Sequence, residues 1–174
     1  MTLAPTITTD RLILRAPCGD DIAAITQFFA QERARFYGGP LPEDQAWRRL
    51  ATYAGQWMLL GYGLFTITLK ETGEPIGMAG PVHPCDFSEP ELSWLLTSTA
   101  YEGHGFAAEA CKAVLTYLFD RLGWSTVVSY IDPENLGSKA LATRLGAVID
   151  AQAAIPACLP GCVAYRHFPA GAQK

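Results

Sequence analysis

The stretch that decides the fold is Tyr101-Glu102-Gly103-His104-Gly105-Phe106-Ala107-Ala108-Glu109-Ala110. A buried strand is predicted before it, at Glu91-Leu92-Ser93-Trp94-Leu95-Leu96, and an amphipathic helix after it, from Ala107 to Arg121. Gly103 and Gly105 can adopt positive φ and let a ligand approach the main chain closely. Free amide groups in the first helical turn, together with the helix dipole, make this junction an anion-binding site.

The junction differs from the two common nucleotide-binding loops. It lacks the Gly-Lys-Ser/Thr ending of a Walker A loop. It also lacks the third glycine that the Rossmann fingerprint requires at its fixed spacing. The sequence therefore predicts an anion site of another kind, built on a strand, a glycine-bearing turn and a helix.

Composition indicates a globular chain. Of its 174 residues, 49% are hydrophobic and 17% are charged, which is enough apolar material to bury a sizeable core. This length predicts one domain over residues 1–174. The net charge of −4, the pI near 5.3 and the lack of a lysine or arginine run argue against a nucleic-acid partner.

The segment from Met1 to Asp10 has no basic part followed by an apolar part, and no apolar run reaches the length of a membrane span. We therefore expect a cytoplasmic protein without a membrane partner. The five cysteines include no Cys-x-x-Cys pair and are predicted to be free thiols, with a Cys158–Cys162 bridge as the alternative. His83 is interpreted as a loop residue without neighbouring ligands, so no metal is expected.

Hydrophobic periodicity predicts the element order β α α β β β α β α β β. The predicted strands are residues 11–15, 62–69, 75–80, 89–96, 125–131, 147–149 and 163–167. Gly19-Asp20-Asp21 is predicted to cap the first helix. Because the later strands are separated by helices, we expect the α/β (α+β) class, with a mixed, mostly antiparallel sheet of about seven strands and helices on both faces.

Two motifs follow each other one predicted strand apart. They are Glu102-Gly103-His104-Gly105-Phe106-Ala107 and Asn135-Leu136-Gly137-Ser138, the latter followed by Arg144-Leu145-Gly146-Ala147. Together they resemble the GCN5-related N-acetyltransferase (GNAT) superfamily. The opening Thr9-Asp10-Arg11-Leu12-Ile13-Leu14-Arg15 and the phrase Glu91-Leu92-Ser93-Trp94 are most similar to its ribosomal-protein-alanine acetyltransferase-like branch. The resemblance covers nearly the whole chain and implies the single-domain GNAT fold.

The resemblance implies acetyl-CoA as co-substrate, with its pyrophosphate at the first motif. The family pattern there is Gln/Arg-x-x-Gly-x-Gly/Ala, and Glu102 departs from it at the Gln/Arg position. Because this acid removes a cationic partner for the pyrophosphate, main-chain amide groups have to provide the anchor. We assign that anchor to Gly103, His104, Gly105, Phe106 and Ala107.

In the second motif, Asn135 matches the family asparagine that hydrogen-bonds the pantetheine arm, and Ser138 matches the small hydroxyl residue after it. Asn135 also has the chemistry of a helix cap, and both roles are compatible because they use different atoms. Ala142 stands where many family members carry the tyrosine that protonates the leaving thiolate. The sequence therefore assigns no general acid.

The implied reaction is acetyl transfer from a thioester to a primary amine, without a covalent enzyme intermediate and without a metal. A base must take a proton before the amine can attack. Glu91 is the first choice for this base and Glu89 the second, while Ser93, on the same strand face, would hold a water. A free main-chain amide near Leu95 or Leu96, where the strand separates from its neighbour, would donate to the oxyanion.

The acceptor site is expected before Gly38-Gly39, where the first helices of the family form its wall. Arg35, Phe36 and Tyr37, together with Arg33, are predicted to contact the acceptor. We expect that acceptor to be a small-molecule or peptide amine, and the protein to be a monomer or a homodimer. The alternative function is a non-catalytic acyl-CoA-binding sensor or regulatory domain, which the missing tyrosine in the second motif would fit.

Overall fold

The computed structural model describes residues 4–172, which form one eight-stranded sheet with four α-helices. The strands are β1 (Ile7–Thr8), β2 (Leu12–Arg15), β3 (Phe65–Leu69), β4 (Pro75–Val82), β5 (Glu91–Leu96), β6 (Val127–Ile131), β7 (Val148–Ile149) and β8 (Val163–His167). The helices are α1 (Ile22–Phe29), α2 (Glu43–Leu60), α3 (Phe106–Thr116) and α4 (Leu136–Arg144). Positions 1–3 and 173–174 of the predicted domain lie outside the described residues.

The sheet has the strand order β1-β2-β3-β4-β5-β6-β8-β7, and every neighbouring pair is antiparallel except β5 and β6. The predicted class, the mixed sheet and the order of the later elements are confirmed. The strand count is eight rather than about seven, because β1 pairs its two residues with Leu14 and Ile13 of β2. Two residues are too few to show a periodic pattern.

Helices cover both faces of the sheet, as predicted. Leu92 and Trp94 of β5 pack into a core cluster with α3, whereas Leu95 packs into a second cluster with α1 and α2. This alternation follows from the two-residue period of a strand. It places Glu91 and Ser93 on the face that carries α1 and α2.

Neighbouring strands β5 and β6 separate soon after they meet. They pair at Glu91 opposite Val128, and no further pair is found along the described part of these strands. Beyond that position, hydrogen bonds that involve side chains connect the two strands instead of main-chain pairs. The Ser129 hydroxyl donates to the Leu92 carbonyl at 2.7 Å, and the Tyr130 amide donates to the Glu91 carboxylate at 3.4 Å.

The direction of each β5 amide follows from its pairing with β4. The Thr97 amide donates to the Ile76 carbonyl at 2.9 Å, so the Leu95 amide, two residues earlier, also points to β4. The amides of Trp94 and Leu96 therefore face the gap towards β6. The prediction of a free amide is thus corrected for Leu95, whose amide belongs to the ladder.

Asp21 ties the first helix to the sheet. The side chain is fully buried, pairs with Arg15 of β2 at 2.7 Å and accepts from the Thr66 hydroxyl of β3 at 2.6 Å. It also accepts from the Cys18 amide at 2.9 Å, but it makes no cap bond to α1. The predicted cap therefore acts one turn earlier, as a capping box of the 3₁₀ turn Gly19–Asp21 that leads into α1. The same carboxylate also pairs with Arg15, because a buried charge requires a cationic partner.

Two further expectations concern the chain as a whole. All five cysteines are free thiols, as predicted, and Cys111 is buried in the core. None of the helices within residues 4–172 has the length and apolar character that a membrane crossing requires.

Candidate functional site

The turn between β5 and α3 has the geometry that its glycines predict. Gly103 and Gly105 have φ values of 76° and 81°, and Gly105 is the residue before α3. The Glu109 amide donates back to the Gly105 carbonyl at 3.0 Å. The amides of residues 105–108 consequently precede the first intrahelical bond and are the ones that can meet an anion, one residue beyond the predicted range.

Arg11, between β1 and β2, contacts this turn and the start of α3. Its guanidinium pairs with Glu109 at 2.7 Å, donates to the His104 carbonyl at 3.0 Å and lies 4.5 Å from the Phe106 ring centroid. Burial alone would raise the pKa of Glu109, but hydrogen bonds from Thr9 and Arg11 outweigh it and lower the pKa. The His104 side chain is exposed.

Glu102 is exposed and forms an ion pair with Arg33. The Arg33 side chain is 23% exposed, and its guanidinium lies 5.5 Å from the Phe28 ring centroid. Its Nη1 atom is buried and has no hydrogen-bond partner among the described residues. The guanidinium of Arg33, which follows α1 in the sequence, therefore lies beside Glu102, the acid that departs from the family motif.

A cavity of about 740 Å³ opens in front of this turn. It is bordered by Arg33, Leu96, the turn at residues 101–108 and the start of α4. Arg35 also borders it, paired with Glu134 at 3.9 Å. Arg35 thus borders the smaller cavity and not the larger one, and its predicted contact with the acceptor stays a prediction.

At the start of α4, Asn135 caps the helix by accepting from the Ser138 amide at 3.1 Å. The cap uses Oδ1, so a ligand contact falls to the amide nitrogen. Ala142 is fully buried in the main core and offers no polar group. The second motif therefore presents Asn135 and Ser138 at a helix N-terminus.

A second, larger cavity of about 920 Å³ lies under α2 and contains Glu91 and Ser93 in its lining. The two cavities meet at a common wall formed by Phe36, Tyr37, Trp94, Asn135 and Ser138. This wall lies at the gap between β5 and β6. A ligand bound along the anion-binding turn can thus reach the larger cavity through the gap.

Glu91 is one of three carboxylates that line this larger cavity, together with Asp86 and Asp132. Burial raises its pKa to about 8, against a small opposing effect of the hydrogen bond from the Tyr130 amide. Glu89, the second choice from the sequence, is engaged elsewhere, because Arg166 binds it with two hydrogen bonds of 2.7 and 2.9 Å. Of the two glutamates chosen from the sequence, Glu91 is therefore the one that lines this cavity and has no ion-pair partner among the described residues.

Tyr37 lies in the wall between the cavities, where its hydroxyl donates to the Trp94 carbonyl at 2.6 Å. Burial raises the pKa of Tyr37, and the neighbouring Ser138 side chain acts in the opposite direction. The sequence predicted Tyr37 only as part of the acceptor wall. Its position beside Ser138 depends on the path of residues 30–42, for which the local sequence contains no signal.

His83 also borders the larger cavity, and its Nδ1 shares a 2.8 Å hydrogen bond with the Tyr62 hydroxyl. In the described part of the chain, no group of three or more histidine, cysteine, aspartate or glutamate side chains could hold a metal ion.

The fold and the site define an acyl-transfer enzyme of a known family. Residues 11–148 match the family model of the acetyltransferase (GNAT) domain. Because this match covers well over half of the chain, the protein belongs to the GNAT acetyltransferases and is an acyltransferase. The superfamily assignment made from the two motifs is confirmed.

Individual relatives agree. An acetyltransferase from Agrobacterium tumefaciens str. C58 is 38% identical, with a TM-score of 0.88 and 94% of each chain covered. The uncharacterised N-acetyltransferase YoaA of Bacillus subtilis (strain 168) is 29% identical over 147 residues, or 82% of each chain. RimL, a ribosomal L7/L12 alpha-N-protein acetyltransferase in complex with coenzyme A, shares the fold at 17% identity and a TM-score of 0.74, covering 94% of this chain and 98% of its own.

Proposed function

We propose that this enzyme transfers an acetyl group from acetyl-CoA to a primary amine, by direct attack of the amine on the thioester within a ternary complex. The observation that carries the proposal is the common wall of the two cavities. A turn with free amides borders one cavity, the half-buried Glu91 lines the other, and the gap between β5 and β6 lies between them.

The smaller cavity suits coenzyme A. We assign the pyrophosphate to the amides of residues 105–108, with Gly103 shaping the turn, and the pantetheine arm to the gap between β5 and β6. Asn135 would donate to the arm through its amide nitrogen. Arg33 adds a guanidinium whose buried nitrogen has no partner among the described residues, and Glu102 orients that guanidinium by ion pairing. RimL, whose fold this chain shares, binds coenzyme A.

The thioester carbonyl would lie in the gap between β5 and β6. There the amides of Trp94 and Leu96 face away from β4, so one of them can donate to the oxyanion of the tetrahedral intermediate. This donor costs no rearrangement, because the pairing of β5 with β4 fixes its direction. Proximity of two bound substrates supplies a further large part of the acceleration.

Side chains of the site can accept and donate each proton that moves in the reaction. The amine loses a proton to Glu91, directly or through a water held by Ser93, and its nitrogen attacks the carbonyl carbon. The carbon–sulfur bond breaks, the thiolate takes a proton from a hydroxyl in the wall between the cavities, and the second proton of the attacking nitrogen restores that hydroxyl. Tyr37 and Ser138 are the hydroxyls at that place.

The same two hydroxyls bear on the alternative of a non-catalytic sensor. That alternative was motivated by Ala142, which lacks the usual acid. A hydroxyl from another element at the junction of the cavities removes this motivation, because the thiolate then has a proton donor. Tyr37 and Ser138 therefore favour catalysis over a binding-only role.

The direct test combines acetyl-CoA titration calorimetry with a turnover assay across amine classes. We expect acetyl-CoA to bind and at least one primary amine to be acetylated. Absence of binding at millimolar acetyl-CoA would refute the proposal as a whole. Binding without turnover of any amine would instead return the function to the sensor alternative.

A further inference from the structure

The lining of the larger cavity is mainly apolar and aromatic. Its volume of about 920 Å³ is at the upper end of pockets that enclose a small organic ligand. The aromatic side chains that surround it beyond the common wall are Tyr53, Phe87 and Tyr130. Phe87 and Tyr130 meet edge to face, with ring centroids 5.7 Å apart. Such a lining favours a ligand with an apolar body.

Polar side chains at one end of the cavity are already engaged with the protein. The Gln56 amide nitrogen donates to the carbonyls of Tyr62 and Pro81 at 3.1 and 3.0 Å, and its oxygen accepts from the His83 amide at 3.0 Å. The Tyr62 hydroxyl and His83 Nδ1 bond to each other. These groups hold the wall together and are not free to specify a polar ligand.

Three carboxylates and one arginine line the cavity. Glu91 is the carboxylate with the apolar surroundings that raise its pKa. Asp86 is exposed at the rim, and Asp132 is engaged with the Glu134 amide at 2.8 Å. Arg49, the cation of the lining, donates to the Tyr37 carbonyl at 2.9 Å. The ammonium group of a ligand can meet Glu91, whereas further charges along the ligand would lie against a mainly apolar lining and lose hydration there.

The apolar character continues onto the surface. The last turn of α2 exposes Met58, Leu59 and Leu60 by 73%, 84% and 44%, and Leu59 and Leu60 belong to the cavity lining. Apolar side chains exposed together beside a cavity are typical of a binding site rather than of ordinary surface. A ligand that passes this rim meets an apolar surface from the outside to Glu91.

We propose that the acetyl acceptor is a small molecule with one primary amine on an apolar, preferably aromatic, body. This inference rests on the proposed function and assigns the acceptor class of the same site. The body lies against Phe87, Tyr130 and Tyr53, and the amine reaches Glu91. The mainly apolar lining disfavours the several charges of polyamines and aminoglycosides and the peptide groups of a protein N-terminus, because polar groups placed against it lose hydration without gaining hydrogen bonds.

The chemistry is balanced within this arrangement. The ammonium gives one proton to the Glu91 carboxylate, and the free amine attacks the thioester carbon. The carbon–sulfur bond breaks, the second proton of the nitrogen passes to the sulfur by way of the hydroxyl in the common wall, and the products are a neutral amide and the thiol of coenzyme A.

The experiment compares kcat/KM for four acceptors at saturating acetyl-CoA. They are 2-phenylethylamine, spermidine, kanamycin and a hexapeptide with a free N-terminal alanine. We expect 2-phenylethylamine to exceed each of the others by about 10- to 100-fold, the effect of burying one aromatic group. An equal or higher value for any of the other three would overturn the assignment.

A matched pair of variants tests the cavity itself. Phe87→Ala should raise the KM for 2-phenylethylamine about 10-fold without changing the Kd of acetyl-CoA. Trp47→Ala removes an aromatic side chain that is 51% exposed on α2 outside the cavity, and should change neither value. If Phe87→Ala does not fold, Leu59→Ser at the exposed rim takes its place, with the same expected direction. An unchanged KM in the folded variant would overturn the inference.

Calorimetry with acetyl-CoA distinguishes a failure of the proposed function from a failure of the acceptor assignment. No binding would refute the proposed function, and the acceptor class would fall with it. Binding together with faster acetylation of spermidine, kanamycin or the peptide would leave the proposed function standing and reject the monoamine. Binding with no acetylation of 2-phenylethylamine rejects the monoamine as well.

Discussion

At the scale of single residues, the proposal depends most on Glu91. Its raised pKa means that only a minor fraction is ionised at pH 7. Since the ionised form accepts the proton, kcat/KM should increase as the pH rises through about 8. Glu91→Gln should lower kcat by about 10²- to 10⁴-fold and flatten this limb. Initial rates between pH 6 and 9.5 provide the measurement.

Glu89→Gln is the matched control, since Glu89 is held by Arg166 outside the proposed chemistry. This variant should keep the alkaline limb of the profile even if its stability is reduced. Retention of the same limb in Glu91→Gln would reject the assignment of the base.

Arg33 is the second residue with a separable effect. Because its guanidinium faces the smaller cavity, Arg33→Ala should weaken acetyl-CoA binding about 10-fold, the effect of losing one charge-assisted hydrogen bond. The KM for the amine should not change. Titration calorimetry at two salt concentrations measures both the Kd and its ionic component.

Arg48→Ala serves as the control, because Arg48 is exposed on α2 and pairs with Asp44. It removes the same charge from the protein without touching either cavity. Equal weakening in both variants would attribute the effect to net charge rather than to a contact of Arg33.

At the scale of elements, Asp21 connects β2, β3 and the start of α1 through a buried carboxylate. Asp21→Asn leaves Arg15 without its counter-charge and should lower the free energy of unfolding by about 3–5 kcal/mol. Urea denaturation followed by circular dichroism measures this change. Asp20→Asn alters the exposed neighbour and should cost less than about 0.5 kcal/mol. Similar losses for both variants would contradict the role given to the buried pair.

The bounds of the strands were predicted only in part, because those expected at residues 62–69, 89–96 and 125–131 begin two or three residues before the observed β3, β5 and β6. The last strand, residues 163–167, has the predicted bounds, and the turn glycines have the predicted positive φ. By contrast, β1 was missed because two residues carry no period. Alternation also identified the face of Glu91, but it could not show where β5 leaves β6. That point depends on the Ser129 and Glu91 side chains replacing ladder bonds, which is a tertiary effect.

At the scale of the whole molecule, the site consists of contacts between distant parts of the chain. Glu102 is neutralised by Arg33, 69 positions earlier, and the hydroxyl beside Ser138 comes from Tyr37. The motifs predicted where coenzyme A would bind, because helix starts and glycine turns are local features. They could not predict these partners, since the position of residues 30–42 over the sheet is set by packing rather than by local pattern.

The dependence of stability on pH integrates several carboxylates of the fold. The pKa of Asp21 is lowered from 3.8: burial raises it, but Arg15 and Thr66 outweigh burial. The pKa of Glu109 is likewise lowered from 4.5. Because the unfolded chain binds more protons at these positions, the two carboxylates stabilise the folded protein above about pH 4.5. This contribution to the free energy of unfolding is lost as the pH falls below that value.

Glu91 acts in the opposite direction. Its pKa is raised from 4.5 to about 8, so the folded protein binds a proton that the unfolded chain releases. The contribution of Glu91 to the free energy of unfolding is therefore complete below pH 4.5 and is lost as the pH rises through about 8. The melting temperature should therefore be highest between these limits. Glu91→Gln, which imitates the neutral acid, should raise the melting temperature at pH 8.5 and leave it nearly unchanged at pH 5. Differential scanning calorimetry from pH 3 to 9 measures both limbs, and an unaltered alkaline limb in this variant would contradict the burial of the Glu91 charge.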